Sequence, residues 1–557
     1  HIPSASVRSE KLSREVLRTK EAPDITDGHS LSLGRNYLSH GYHEVTLSPE
    51  QRMKHMYLIG ASGTGKSTLI SYLISQDVFS GQGLAVLDPH GDLIDEVLGL
   101  IPEERLGDVI VFDPSDTEYP IGFNILDAHS ELEKNLLASD LVGIFKRLST
   151  SWGDQMNSVL SNAILALLEH EDGGTLIHLR RFLVDKDYRK TFLKKVTDPE
   201  IVFYWEKEFP LLSGKPQGPI LTRLDMFLRP KLIRNMVAQR KNRINFSEIM
   251  NGKKIFLAKL SQGMIGEENS SLLGAFLVSK LQQAAMSRQE LSKNARSDFF
   301  LYIDEFQNFT TPSMESLLSG GRKYNIGLIL AHQGLQQLAS RNADVASSVI
   351  ANPYTRICFR MGDSDAKKLE SGFSYFTAND LQNLSVGEAI CRVEQSAFDF
   401  NLETPLPQEV PSVDANFRRS QLIDLSQKMY GVPREEIEAI LEKENELSFQ
   451  VKRPIDWEYA KITVTNSETF EEQTLSITPT KFESLKLYEA GRYWIETNIK
   501  NNEETFDVYD VYDIEIDAKE KKPIVSSTEL PERALIILII IFSIVIIVGF
   551  KFRRRNY

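Results

Sequence analysis

Two cysteines in 557 residues are too few for a disulfide framework. Both, Cys358 and Cys391, sit in apolar strand-like runs, Arg-Ile-Cys-Phe and Ala-Ile-Cys-Arg, which suits core thiols in a reducing compartment. No cluster carries metal-ligand spacing. A positive balance is missing too: the net charge of −13 excludes a protein coated in basic surface. Any nucleic-acid contact must therefore be local, in a groove or pore lined by a basic minority. Long apolar runs are scarce. Residues 534–550, Ala534 to Phe550, form one just long enough to cross a bilayer, and a basic tail at 551–557 follows, with Lys551 and Arg553 to Arg555. Read alone, that run is a transmembrane helix. The length exceeds one ordinary core and predicts three or four domains. The chain starts at His1 rather than Met, so an upstream piece is expected.

The stretch His55-Met-Tyr-Leu-Ile-Gly-Ala-Ser-Gly-Thr-Gly-Lys-Ser-Thr68 reads as a buried strand, a glycine-rich turn and a helix start. It fits G-x-x-x-x-G-K-[ST] at Gly60, Gly65, Lys66 and Ser67. Such a loop curls backbone N–H groups around phosphate oxygens and adds the positive end of a helix. Gly60, Ala61, Ser62, Gly63, Thr64, Gly65, Lys66, Ser67 and Thr68 are thus the candidate nucleotide contacts. Lys66 would reach the β/γ-phosphates and Ser67 would ligate Mg²⁺, with ATP and Mg²⁺ as cofactors. Arg52 and His55 flank the strand and read as solvated strand-end residues, with nucleotide contact as the alternative.

Further apolar runs end in polar residues at Gly83-Leu-Ala-Val-Leu-Asp88 and Asp108-Val-Ile-Val-Phe-Asp113, alternating with helical stretches. This predicts an α/β fold with a mainly parallel sheet covered on both faces, ligands gathering at the strand carboxyl ends. Asp88, His90 and Asp92 would lie on that edge, with helix capping the first expectation for them. Phe299-Phe-Leu-Tyr-Ile-Asp-Glu305 supplies a second signal: Asp304 placed to hold Mg²⁺ and Glu305 to polarise an attacking water. Gln333, ending another apolar run, is a candidate for sensing the γ-phosphate or positioning that water. Arg322 is a candidate to insert across a subunit boundary, in competition with Arg356 and Arg360.

Between residues 127 and 250 the strand pattern gives way to helical periodicity, as in Met156 to Leu168, and an inserted all-α domain is expected. Its later part is locally basic. Arg229, Lys231, Arg234, Arg240, Lys241 and Arg243 are the candidate DNA contacts, a solvated helix face paired with acidic neighbours being the alternative.

The phosphate loop, Asp88-Pro-His-Gly-Asp92, the helical insertion, Ile303-Asp-Glu-Phe-Gln-Asn308, Gly321-Arg-Lys323 and Ala331-His-Gln333 together resemble the FtsK/HerA superfamily of ring-forming DNA-pumping ATPases, and within it the TraG/TraD branch of type IV coupling proteins. The resemblance covers 41–430. It implies a RecA-like P-loop NTPase working as a hexamer at a membrane, moving DNA or DNA-protein substrate, with relaxase or other secretion-system components as partners. It assigns Lys66 and Ser67 to phosphate and Mg²⁺, Asp304 and Glu305 to Mg²⁺ and water activation, and Arg322 to the trans finger. A HerA-like repair helicase and an ATP-binding secretion scaffold without motor activity are the rival readings.

The expected organisation is a lead-in at 1–40, the ATPase domain at 41–126 and 251–400, the insertion at 127–250 and an arm at 401–453. Period-two alternation from 454 to 520, as in Lys461-Ile-Thr-Val-Thr465, predicts a small immunoglobulin-like β-sandwich. A linker at 521–533 then leads to the transmembrane run. The cell membrane with a cytoplasmic ATPase is the expected location. The basic end favours the cytoplasm, which would put the β-domain outside while the motor needs cytosolic ATP. A tail anchor against the charge rule, an unseen arrangement, or a join of two unrelated frames each reconciles this.

Overall fold

The computed structural model describes residues 18–448 except 39–40, 129, 148, 150–151, 213 and 407–410, and beyond them residues 457–466, 472–477, 492–501, 505–508 and 514–515. The linker, the apolar run 534–550 and the basic tail lie outside the described residues. Among the described residues no helix is long and apolar enough to cross a membrane. The chain divides into two compact units, His1–Glu444 and Asn445–Tyr557.

The first unit is organised on one eleven-stranded sheet. Its strands are β1 (Leu31–Leu38), β2 (Gly41–Leu47), β3 (Met56–Ile59), β4 (Gly83–Asp88), β5 (Val109–Phe112), β6 (Ile255–Lys259), β7 (Phe299–Ile303), β8 (Ile326–His332), β9 (Thr355–Phe359), β10 (Glu388–Val393) and β11 (Asp399–Glu403). They lie in the order β2-β1-β11-β10-β9-β3-β8-β7-β4-β6-β5. From β9 to β5 all neighbours are parallel, and β10, β11, β1 and β2 extend the sheet antiparallel. Strands β3, β4, β5, β7 and β8 are buried at every position, as apolar runs covered on both faces must be. The sheet takes in both ends of the expected ATPase segment, since β1 falls within 1–40 and β11 runs past residue 400.

Strand alternation sorts the core into two layers. Met56, Leu58, Phe300, Tyr302 and Ile329 face the Lys66–Phe79 and Asp92–Leu100 helices, packing with Leu69, Leu73, Leu93 and Val97. Tyr57, Ile59, Leu301, Ile303 and Leu328 face the other way, into a layer that includes the Glu267–Ser287 helix and runs on into the insertion. The insertion leaves after β5 and returns before β6, with helices that include Glu131–Arg147, Asp154–Leu168, Leu176–Val184, Gln217–Leu228 and Lys231–Val237. Its two connecting segments are tied together: Asn124 N–H donates to Asn242 Oδ1 at 2.6 Å, and Asn242 Nδ2 donates back to Asn124 O at 3.0 Å.

Arg52 and His55 are not solvated strand-end residues, since both are buried. Arg52 ends a short helix capped by Ser48, and its guanidinium donates to Asp77 Oδ2 at 2.6 Å while lying 3.5 Å from the Phe300 ring centroid. Tyr302 Oη donates to the same carboxylate oxygen at 2.5 Å. Asp77 belongs to the Lys66–Phe79 helix, so this cluster rivets that helix to β7 from below. His55 accepts the Leu328 N–H at Nδ1, and burial pushes its pKa down to about 4, leaving a neutral ring that bridges backbone. Both residues sit at the amino end of β3, a strand's length from the phosphate loop.

The Ser412–Tyr430 helix of the expected arm packs on the Asp92–Leu100 helix and closes the sheet's edge at β5. Ser426 Oγ accepts the Val111 N–H at 3.0 Å and lies 3.2 Å from Val111 O, covering an edge that would otherwise offer free backbone groups.

The described strands of the second unit, β12 (Trp457–Asn466), β13 (Glu472–Ile477), β14 (Arg492–Asn501), β15 (Thr505–Val508) and β16 (Ile514–Glu515), form one antiparallel sheet. β12 pairs with β13 and β14, and β14 with β15 and β16. A sandwich needs a second sheet packed on the first; the described residues of this unit hold a single sheet.

Candidate functional site

The phosphate loop spans the gap between β3 and the Lys66–Phe79 helix, at the carboxyl edge of the sheet. Its glycines are required by space and backbone. A Cβ on Gly60 would lie 2.6 Å from Phe359 Cβ, and Gly63 and Gly65 have φ of 70° and 113°. Neighbouring strands pin the loop: Gly60 N–H donates to His332 O at 3.3 Å, Ala61 N–H to Arg360 O at 2.8 Å, and Gly387 N–H to Thr64 O at 3.0 Å. Lys66 folds over its own loop, its ammonium donating to Gly60 O at 2.6 Å and Ala61 O at 3.0 Å. Burial pushes the Lys66 pKa down, while Glu305 and Asp304 oppose the shift. A cation resting on carbonyls beside a glycine cradle fits a triphosphate. Ser62, Gly63 and Ser67 are exposed and Thr68 is half-buried.

Two strands away, β7 delivers the carboxylates. Asp304 N–H donates to Leu87 O at 3.1 Å, and Ser67 Oγ donates to Asp304 Oδ2 at 3.4 Å. Burial pushes the Asp304 pKa up to about 6, helped by the charges of Glu305 and Asp88 and opposed by Lys66. A hydroxyl and a carboxylate of that kind, beside the phosphate loop, fit Mg²⁺, which keeps several waters and takes one or two protein ligands. Asp88 accepts the N–H groups of His90 at 2.8 Å and Leu93 at 3.0 Å, and so caps the Asp92–Leu100 helix. Asp92 is that helix's exposed first residue.

Glu305 has φ 44° and ψ 48°, a left-handed conformation costly for a residue with a Cβ. Its carboxylate is gripped by two amides: Gln333 Nε2 donates to Oε1 at 2.7 Å and Gln307 Nε2 to Oε2 at 2.8 Å. Gln333 thus meets the carboxylate rather than pointing away from it. Gln307 was not singled out in the sequence; its only signal is a place two residues beyond Glu305, on the Phe306–Asn308 turn. His90, Gln337 and these three side chains line a cavity of about 360 Å³. Beside it, His332 is buried and held in one orientation, within 2.5 Å of Tyr57 Oη at Nε2 and 3.1 Å from Gly334 O at Nδ1. Burial pushes its pKa down to about 3.

The other candidates lie elsewhere. Arg322 is exposed on the Gly321–Tyr324 turn, at the amino end of β8, whereas Gln333 follows its carboxyl end. Seven parallel-strand residues span about 20 Å, beyond the reach of an arginine, so Arg322 cannot serve the phosphate loop of its own chain. Arg356 is buried and donates to Ile350 O at 2.6 Å, a structural role. Arg360 is exposed at the phosphate loop itself. Of the basic insertion residues, Arg229 pairs with Asp225 at 2.7 Å, and Arg240 donates to Asp172 O at 3.2 Å and to His178 Nε2 at 2.7 Å. Lys231, Lys241 and Arg243 are exposed and Arg234 is half-buried.

No curated protein matches the chain in sequence. Two family models do: the type IV secretion-system coupling protein DNA-binding domain over residues 41–202, and the TraM recognition site of TraD and TraG over residues 298–372. Among solved structures, the plasmid coupling protein TrwB with a non-hydrolysable GTP analogue is 16% identical, with a TM-score of 0.51, over 66% of this chain and 90% of that one. TrwB with ADP and Mg²⁺ gives 16%, 0.50, 67% and 90%, and the unbound bacterial conjugative coupling protein TrwBdeltaN70 gives 15%, 0.50, 65% and 87%. Likeness at this identity is a likeness of fold. The two family models, set in order along the first unit, are both of type IV coupling proteins, and it is TraG/TraD-like coupling proteins that this chain resembles.

Proposed function

We propose that the chain is an ATP-driven DNA translocase, the coupling motor of a conjugative or type IV secretion system, hydrolysing ATP at the interfaces of a hexameric ring. The observation that carries this reading is the meeting of Ser67 and Asp304 across 3.4 Å, with Glu305 beside them and oriented by two amides. Lys66 would leave the loop carbonyls for the β/γ-phosphate oxygens, which are better acceptors for an ammonium. Mg²⁺, held by Ser67 and Asp304, would neutralise charge on the phosphate oxygens. Glu305 would take the proton of the attacking water, its orientation fixed by Gln333 and Gln307. Arg322, out of reach of its own phosphate loop, is free to serve a neighbour's, which supports the ring. DNA as substrate, the exposed Lys231, Lys241 and Arg243 as phosphate contacts, relaxase or other secretion components as partners, and a membrane location with a cytoplasmic motor belong to the same reading. The membrane part rests on the apolar run 534–550.

The test is ATP hydrolysis by the assembled full chain with and without DNA. Wild type is expected to hydrolyse ATP faster with DNA, and Lys66→Ala to lose hydrolysis by at least ~100-fold. An assembled wild type that DNA leaves unstimulated refutes the motor, and a Lys66→Ala protein at wild-type rate refutes the site.

A further inference from the structure

The Glu131–Arg147 helix is the first of the insertion, and it ends on the loop that carries Glu305. The Arg147 guanidinium donates to Thr310 O, to Thr310 Oγ1 at 2.7 Å and to Asn308 O at 3.4 Å. Asn308 closes the turn on which Gln307 sits, its N–H donating to Glu305 O at 3.0 Å. The loop is fixed at its two ends independently: Asp304 N–H is bonded to Leu87 O, and Thr311 Oγ1 caps the Pro312–Gly320 helix by accepting the Met314 N–H at 3.2 Å. Between those ends, Arg147 joins the loop to the insertion. Further back on the same helix, Asp140 accepts a hydrogen bond from Ser279 of the Glu267–Ser287 helix. Asp140 and Arg147 are seven residues apart, about 10 Å along the axis, so a small tilt about the first displaces the second.

We propose that Arg147 is a positioning residue through which the all-α insertion sets the Gln307 amide, and hence the orientation of the Glu305 carboxylate. The inference rests on Glu305 acting as the water-activating base. A left-handed backbone at a non-glycine residue stores strain that the surrounding contacts hold in place, so weakening those contacts favours relaxation of Glu305 away from this geometry. Misplacing a reacting group by about 1 Å costs up to ~100-fold in rate, so the displacement needed is small. Load on the insertion would reach the site by this route, and substrate bound there would accelerate or slow hydrolysis without touching nucleotide.

The experiment is a double-mutant cycle on the full chain: steady-state ATP hydrolysis by wild type, Arg147→Ala, Gln307→Ala and the pair. Each single variant is expected to lose ~10-fold in kcat with KM for ATP within about twofold. The pair is expected to be no slower than the slower single, since both act on one contact. Stimulation by DNA should vanish in Arg147→Ala and return in part in Arg147→Lys, which keeps one donor for Thr310. Losses that multiply in the pair, a change confined to KM, or undiminished DNA stimulation in Arg147→Ala overturns the proposal. Binding of a non-hydrolysable ATP analogue reports folding, and Arg147→Lys replaces Arg147→Ala in the cycle if the latter fails to bind it. If DNA does not stimulate wild type, the motor reading fails, while the cycle still decides the link between Arg147 and Glu305.

Discussion

Replacing Asp304 with Asn should make the nucleotide-free protein more stable while abolishing its response to Mg²⁺. Asp304 is 5% exposed, and burial with two neighbouring carboxylates holds its pKa at about 6 rather than 3.8. The folded carboxyl therefore binds its proton more tightly than the unfolded one, and ionising it favours unfolding. The penalty is absent below the ordinary value, grows from there to about 6 and is complete above. One pKa step is 1.36 kcal/mol, so the ionised side chain costs the folded state about 3 kcal/mol at pH 7.5, and about half of that at pH 5. Urea unfolding of wild type and Asp304→Asn without nucleotide should therefore show a gap in favour of the variant that widens by about 1 kcal/mol between pH 5 and pH 7.5. Mg²⁺ with a non-hydrolysable ATP analogue should reverse the order, stabilising wild type alone. A gap independent of pH, or a variant less stable than wild type at pH 7.5, would refute the argument that Asp304 is held charged at a cost.

Arg52→Met strands the fully buried Asp77 carboxylate and should destabilise the protein by ~3–5 kcal/mol, whereas Arg52→Met with Asp77→Leu should regain most of it; urea unfolding measures both. Gln333→Ala removes one of the two amides on Glu305 and should lower kcat by ~10-fold with KM for ATP unchanged; a rise in KM with kcat intact would mean that Gln333 reads phosphate instead.

The phosphate loop and Asp304-Glu305 were legible because their chemistry is written in local backbone needs. Gly60 must admit Phe359, Gly63 and Gly65 must turn left-handed, and an apolar strand must stop at an acid. The parallel core was legible for a related reason, since a strand covered on both faces shows as an unbroken apolar run. What stayed hidden depends on partners far along the chain. Arg52 meets Asp77 and Tyr302, 25 and 250 positions away, and no spacing announces that a charge beside a strand is buried against another. The Ser412–Tyr430 helix buries only Ala415, Leu422 and Ser426, too sparse a stripe to reveal that it seals the edge at β5. Nor does sequence say which amide turns toward an acid, so Gln307 was missed beside Gln333.

The alternation of β7 explains why two adjacent carboxylates meet different partners. Tyr302 faces the layer of the phosphate-loop helix, and Leu301 and Ile303 face the layer that continues into the insertion. Continued one step, that alternation sends Asp304 toward the phosphate-loop helix, where it meets Ser67. Glu305 follows on the other side, and its left-handed backbone ends the strand there and starts the turn that carries Gln307. One carboxylate therefore belongs to the layer that binds nucleotide, and the next to a loop that Arg147 ties to the insertion. The sheet separates its two core layers, and the Arg147 contacts join them at the carboxyl end of β7. On the proposed function, this is the junction a motor would need, with the base Glu305 between the phosphate and the insertion.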